Sequence, residues 1–378
     1  MRMSENIAKR VERLQQAMTR HDMKLVIAYS NGKVGVSHPN YLYYISGYKP
    51  MGPHSFAIIP ASGDSQLFVL TNVEATQAHE ESGFKNIRIM ANVADTIISQ
   101  VKSAKVNSPD KVGIVGLEYL EPAIRYTVER HLGFRLNSSN YLFEEIGRGE
   151  DEVDLMRKVG KICDSMLNAA LQVMKPGMTE YELVAEMEYA SRMNGADDNF
   201  TLLGSGTHNV AMHVATDRRL QKGDLVLFEI TPTRHFQTMQ MCRTVVLGNP
   251  SKIMLTKYDL LFKALSESLA IVKPGVIASE IVRIQNKIIS DAGYAEYCKP
   301  PYMRTRGHGF GVGSNPLTLT LDENSNIQLK ERMGLVVHPN QYLPETGYLA
   351  IGDPIIVTKT GYEKACVMDA GIYHKEVD

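Results

Sequence analysis

The chain has 378 residues, 44% of them hydrophobic, with 41 Lys and Arg against 42 Asp and Glu and a formal net charge of -1. That length and apolar content suffice for a large core and suggest two or three domains. The balanced charge excludes a protein that holds nucleic acid or a membrane surface by electrostatics, and no run of about twenty apolar residues is present to cross a bilayer.

The N-terminus carries charges throughout and places Ile7, Val11, Leu14 and Met18 at helical spacing, which predicts an amphipathic helix over about 4–21 rather than a secretion signal. Strands are predicted at Leu25–Ala28, Ser55–Ile59, Gln66–Leu70 and Lys111–Val115, with a helix at Asp95–Ala104. This alternation reads as an α/β layer domain. A polar stretch, Ser138–Asp151, then precedes a long helix over Glu152–Lys175, so the domains are expected at 1–148 and 149–378.

The second domain contains an internal repeat. One helix ends in Val173-Met174-Lys175-Pro176-Gly177, before a helix capped at Thr179 with Glu182 three residues on, a capping box. Another ends in Ile271-Val272-Lys273-Pro274-Gly275, before a helix capped near Ser279, and the two prolines are 98 residues apart. Strands follow each helix pair, at Leu225–Ile230 and Thr238–Leu247 in one unit and at Gly334–His338 and Pro354–Thr358 in the other. Two ααβ units related by a pseudo-two-fold axis would leave a site on the sheet between them. The cysteines Cys163, Cys242, Cys298 and Cys366 lie far apart without CxxC spacing, so neither a zinc knot nor a disulfide framework is expected, and reduced thiols suit the cytoplasm.

Five segments carry the chemistry. They are Gly223-Asp224-Leu225-Val226-Leu227-Phe228-Glu229, Gln240-Met241-Cys242-Arg243-Thr244, Gly307-His308-Gly309-Phe310-Gly311, and the pair His338-Pro339-Asn340 and Gly352-Asp353-Pro354-Ile355-Ile356-Val357-Thr358. Together they resemble the pita-bread superfamily of methionine aminopeptidases, Xaa-Pro aminopeptidases, prolidases and creatinase, over nearly the whole chain. The resemblance implies an α/β N-terminal creatinase-type domain and an α+β pita-bread catalytic domain of duplicated ααβ units around a curved sheet. It also implies that Glu229 and Gln240 stand where the family has two ligand aspartates. His308 keeps the ligand histidine, while His338 and Gly352 replace the two ligand glutamates. Two divalent ions close together need bridging carboxylates to offset their repulsion, and an amide plus a glycine cannot supply them.

Creatinase, the metal-free member, is therefore the nearest functional pattern. It implies a metal-independent hydrolase of an amide, ureido or guanidino C–N bond in a small polar molecule, with no cofactor. Counting from Ser205-Gly206 puts His213 on the family's substrate-side histidine, the expected acid/base, whereas counting back from Asp217 puts Met212 there; His208 is a weaker candidate. Glu229 would orient an imidazole or hold a cationic substrate, or else pair with Arg234 or Arg243. His308 and His338 would bind substrate beside it. Cys242 occupies a substrate-binding position of creatinase and is read as a small buried hydrophobe or a nucleophile; Gln240 is a substrate contact. Arg306 and Arg304 are the cations next to His308. Tyr48 and His54 are implied as contacts reaching a dimer mate's site, so a homodimer is expected. Asn315 stands where the family has a second histidine. Two other readings remain. In one, Glu229, His308 and His338 hold one divalent metal in a mononuclear hydrolase or an Xaa-Pro peptidase-like enzyme. In the other, the chain binds a peptide or protein without catalysis.

Overall fold

The computed structural model describes residues 3–33, 38–310 and 319–376. It divides into two compact units, Met1–Gly149 and Glu150–Asp378.

The first unit contains helices α1 (Met3–Arg20), α2 (Tyr41–Ser46), α3 (Asn72–Glu81), α4 (Val93–Ser103), α5 (Pro122–Leu132) and α6 (Tyr141–Glu145). Its strands are β1 (Leu25–Ser30), β2 (Ser55–Pro60), β3 (Gln66–Val69), β4 (Asn86–Ile89) and β5 (Val112–Val115), in the order β4-β3-β2-β1-β5. β1 and β5 run parallel, as do β3 and β4, while β2 is antiparallel to both its neighbours. The apolar face formed by Leu25, Ile27, Tyr29, Phe56 and Ile58 packs against Ile97 and Val101 of α4 and Val128 of α5. Thr71 and Glu74 close a capping box at the start of α3. The sequence predicted β1, β2, β3, β5 and α4. It left β4 unassigned because that strand is largely exposed and carries Asn86 and Arg88.

The second unit begins with α7 (Glu150–Val173) and α8 (Glu180–Met193), followed by β6 (Asp198–Gly206), β7 (Leu225–Arg234), β8 (Gln237–Thr238) and β9 (Met241–Leu247). Then come α9 (Lys252–Leu269), α10 (Ala278–Ile289), β10 (Gly307–Phe310), β11 (Gly334–Val337), β12 (Gln341–Leu343), β13 (Gly347–Leu349), β14 (Asp353–Val357), β15 (Tyr362–Lys364) and β16 (Tyr373–Lys375). One sheet has the order β16-β9-β7-β6, with β8 on β7; the other has β10-β11-β14-β15; β12 and β13 form a hairpin. A two-way backbone bridge between Cys242 and Gly352 links the two sheets.

The repeat appears in the backbone. Gly177 and Gly275 both take a left-handed φ, 86° and 92°, which glycine adopts without a Cβ penalty. Each then donates its N–H to the corresponding carbonyl, Gly177 to Leu220 at 2.8 Å and Gly275 to Leu329 at 2.9 Å. Thr179 and Glu182 form the expected capping box. The second helix starts earlier than its serine suggested: Ile277 is its N-cap, and only Glu280 reaches back, to the Ile277 N–H at 3.3 Å, since isoleucine offers no acceptor.

β7 is covered on both faces, as alternation along a strand allows. Leu225 and Leu227 pack with Leu261, Leu265 and Ile281 of the α9–α10 side. Val226, Phe228 and Ile230 pack with Met156, Val159, Leu183 and Met187 of the α7–α8 side. Each such side chain, fully buried, contributes roughly 1.5–3 kcal/mol. Among the described residues no helix is long and apolar enough to cross a membrane.

Candidate functional site

The double cover of β7 ends at Glu229. Its register partners are Leu202 on β6 and Cys242 on β9, and residues directly opposite share a face of the sheet. Glu229 is partly exposed, yet burial pushes its carboxyl up to about 7. Among the described residues it has no side-chain hydrogen bond or ion pair, and both expected cations are used elsewhere. Arg243 bonds Asp353 at 2.8 Å and the Gly352 and Met368 carbonyls at 2.6 and 2.8 Å, while Arg234 donates to the Asn194 carbonyl at 3.2 Å. A carboxyl left this way holds or releases a proton near neutral pH.

Beside it on β9, Cys242 is buried, with its Sγ 3.8 Å from Gln240 Nε2 and 3.6 Å from Asn340 Nδ2. Burial, and then the Glu229 charge, push the thiol up. It is therefore held protonated as a small core group, which removes the nucleophile reading. Gln240 is buried, with Oε1 accepting from Thr231 Oγ1 at 3.3 Å. With Nε2 donating to the Cys242 sulfur, its amide belongs to an internal network.

His308 and His338 come together from the second sheet, their ring centroids 6.0 Å apart and nearly perpendicular. His308 sits on β10 with Nδ1 3.2 Å from the Gly309 carbonyl and its ring edge-on to Phe310. His338 follows β11, its N–H donating to the Arg306 carbonyl at 2.9 Å. It is buried, and its Nδ1 has no partner among the described residues. Burial lowers both imidazole pKa values; for His338, with the neighbouring His308 and Arg306 adding to it, the value falls to about 3. Both rings are thus neutral at pH 7 and can each donate one N–H. Gly352 lies against them: a Cβ there would stand 2.5 Å from the His338 Cβ and 3.0 Å from the Val337 carbonyl. A side chain at 352 must therefore push back the chain at Val337 and His338.

Arg306 has a structural role. Fully buried, it donates to Asn286 Oδ1 at 2.8 Å, the Asn340 carbonyl at 3.1 Å and Gln341 Oε1 at 2.9 Å. It holds the 338–341 segment in place and does not face a substrate. Arg304 is exposed. Two residues that the sequence reading passed over belong to the site. Asn340 reaches Cys242 and accepts from the Ile351 N–H at 2.8 Å, and Tyr348 lies within electrostatic reach of Cys242, Glu229 and Arg306. Only the adjacency of Asn340 to His338-Pro339 could have signalled either.

His213 falls elsewhere. It forms a two-way bridge with Leu203, which is itself opposite Phe228, so alternation sets it on the face opposite Glu229. Its ring is exposed, with Nδ1 2.7 Å from the Val214 carbonyl, while Met212 packs against the cluster that contains Leu227 and Cys242. The acid/base role expected of His213 is corrected on this ground, and the count from Asp217 describes the loop. His208 is exposed too, its Nε2 3.0 Å from the Pro344 carbonyl. Tyr48 and His54 lie in the first unit, Tyr48 buried and His54 bonded through Nδ1 to the Tyr29 hydroxyl at 2.6 Å. Asn315 lies outside the described residues.

Residues 154–359 match metallopeptidase family M24, and residues 10–135 match the creatinase/prolidase N-terminal domain. The chain is 26% identical to an Xaa-Pro dipeptidase of Pyrococcus furiosus, over 90% of this chain and 95% of that protein. Among solved structures it is similar to the prolidase from Pyrococcus horikoshii (TM-score 0.81, 24% identity, 96% of this chain and 99% of that one). It is likewise similar to an Xaa-Pro dipeptidase from Bacillus anthracis (TM-score 0.82, 21% identity, 98% and 100%). The chain belongs to metallopeptidase family M24 and has its two-domain fold, a creatinase-type N-terminal domain and a pita-bread C-terminal domain. This overturns the expectation of a metal-independent, creatinase-like hydrolase without cofactor: the family is one of metallopeptidases, and the relatives named here are dipeptidases. Yet the residues of this chain do not fit a metal pair. Among the described residues no three His, Cys, Asp or Glu side chains come together to hold an ion. Gln240 and Gly352 supply no carboxylate.

Proposed function

We propose that this chain is a hydrolase of the peptide C–N bond in small dipeptide-like molecules, acting at Glu229, His308 and His338. Membership of the M24 family and the likeness to Xaa-Pro dipeptidases support the reaction class. The observation that carries the site is Glu229 itself, a partly exposed carboxyl with no cation partner among the described residues, whose proton is exchangeable near pH 7. Because the donors do not gather into a metal cage, no step is assigned to an ion. The steps open to this chain's own side chains are two. Glu229 takes a proton from the attacking water and returns it to the leaving nitrogen. The neutral imidazoles of His308 and His338 donate N–H bonds to the oxygen on which negative charge develops. Arg306 keeps His338 in place for that purpose.

The test is hydrolysis of Ala-Pro by the purified chain, with added manganese and with chelator. We expect turnover under one of these conditions, and a loss of roughly a hundredfold to ten-thousandfold in Glu229→Gln. No hydrolysis under either condition sinks the proposal. The replacement of two carboxylate positions by Gln240 and Gly352 favours a second reading, peptide binding without turnover, which measurable Ala-Pro affinity in the absence of hydrolysis would support. A homodimer rests on the family resemblance and is read by light scattering. A cytoplasmic location is supported by four buried, free cysteines.

A further inference from the structure

We propose that the cavity at the second Lys-Pro-Gly turn binds a small aliphatic monocarboxylate. The cavity measures about 540 Å³ and lies between the turn that follows α9 and the first turns of α10, within the roughly 300–1,000 Å³ that small-molecule sites occupy. Ile271 and Val276 line it from the turn, and Ile284 lines it from α10. Val276 is nearly buried and the two isoleucines are half-buried, so this aliphatic lining is continuous with the core on which α9 and α10 pack. Lys273, Glu280 and Arg283 complete the lining. Glu280, Arg283 and Ile284 follow i, i+3, i+4 spacing and share one face of α10. Among the described residues neither Lys273 nor Arg283 makes an ion pair or a side-chain hydrogen bond, whereas Glu280 is tied to the Ile277 N–H. Two unpaired cations against one carboxylate leave a single positive charge, which suits a monoanion better than a phosphate dianion.

The cavity is preformed. The Leu329 N–H donates to the Val276 carbonyl at 2.8 Å and the Ala278 N–H to the Ile327 carbonyl at 2.9 Å, so the turn is pinned on both sides of Ile277, and a wall already ordered loses less freedom on binding. The first copy of the repeat is the internal comparison. At the 98-residue offset, Lys175, Glu182, Ala185 and Glu186 stand where the second copy has Lys273, Glu280, Arg283 and Ile284. That copy therefore has one cation against two acids and no large aliphatic side chain at these helix positions. Its turn is also engaged, since Arg219 donates to the Gly177 carbonyl at 2.7 Å, while the matching bridge puts Gln328 at that place in the second copy. The same turn and helix pair form in both copies, so the fold itself requires neither Arg283 nor Ile284. Exposed cations contribute modestly one by one. Affinity then depends on an anion and an aliphatic body carried by the same molecule, which is the chemistry of the proposed ligand.

The closing experiment uses ligand-observed NMR on the full chain near neutral pH. It compares isocaproate with isocaproamide, which keeps the aliphatic body, and with acetate, which keeps the charge. Isocaproate should bind about three- to tenfold tighter than either. Its preference over the amide should fall toward one in the double variant Lys273→Gln with Arg283→Gln, whose residues are exposed in the native chain. Its preference over acetate should shrink in Ile284→Ala. Circular dichroism checks that each variant is folded. Equal binding of acid and amide by the unaltered chain, no binding of isocaproate, or preferences that survive in these variants overturn the proposal. Displacement of isocaproate by inorganic phosphate at equal concentration overturns the choice of a monocarboxylate. None of the probes is a peptide, so the result stands whether or not Ala-Pro is hydrolysed.

Discussion

Two neighbouring carboxylates of the second unit are treated in opposite ways. Asp353, fully buried, is held between Arg243 at 2.8 Å and Lys364 at 2.7 Å. Glu229, on the strand beside Arg243, has no cation partner among the described residues, although Arg243 is the residue next to its own register partner Cys242. Strand alternation produces the difference: Cys242 turns toward Glu229 and Arg243 turns away, toward Asp353. The same alternation separates Gly352, against His338, from Asp353. A network buried with every charge paired is a structural device, whereas a partly exposed carboxyl kept near its protonation midpoint is available for chemistry.

The contrast can be broken most forcefully at Arg243. Removing one member of a buried ion pair strands the other, so Arg243→Ala should lose about 3–5 kcal/mol in urea denaturation. A loss under about 1 kcal/mol would mean that the cluster is not structural, and the contrast would fail.

Glu229 should respond with the opposite sign. Its folded-state pKa is raised, from 4.5 to about 7, so ionising it costs folded stability. Below pH 4 the group is protonated in both folded and unfolded chains and contributes nothing. As pH rises through that window the folded state loses stability relative to the unfolded one, to a limit of about 2–3 kcal/mol that partial exposure reduces. Glu229→Gln should therefore be more stable than the unaltered chain at pH 8 by up to about 2 kcal/mol and equal to it at pH 4. Equal stability at both values would show that the carboxyl has a partner after all.

At Gly352 the expected effect is steric. Gly352→Ala places a methyl against the His338 Cβ and should cost about 1–3 kcal/mol, with the His338 imidazole resonances displaced in NMR spectra. Pairing it with His338→Gly, which removes the Cβ that the new methyl would meet, should recover part of the loss. The smallest effect is expected at Cys242. Being buried and protonated, it should stay unlabelled by a thiol reagent in the native protein, and Cys242→Ala should cost only about 1 kcal/mol.

Much of this molecule was legible in the chain. The apolar alternation of Leu225–Ile230, the repeated Lys-Pro-Gly turns and the Thr179–Glu182 box each act within a few residues, so local physics defines them and the structure repeats them. The motif around His308 and the replacements at Gln240, His338 and Gly352 were likewise readable, and with them the family. The face on which a side chain emerges was not. His213 and Met212 differ by one position, and only the bridge to Leu203 decides which of them shares a face with Glu229. Arg306 reads as a free cation beside a histidine, until Asn286, Asn340 and Gln341 arrive from 20, 34 and 35 residues away to consume its donors. Tyr342 and Tyr348 are unremarkable in sequence and are set opposite each other by hairpin register, with Tyr302 brought against Tyr342 from a distant loop. Periodicity and turn chemistry are short-range and were determined by the sequence itself. Partner choice, and the burial that sets the protonation of Glu229, His308 and His338, depend on which distant strands meet, and only the tertiary structure decided them.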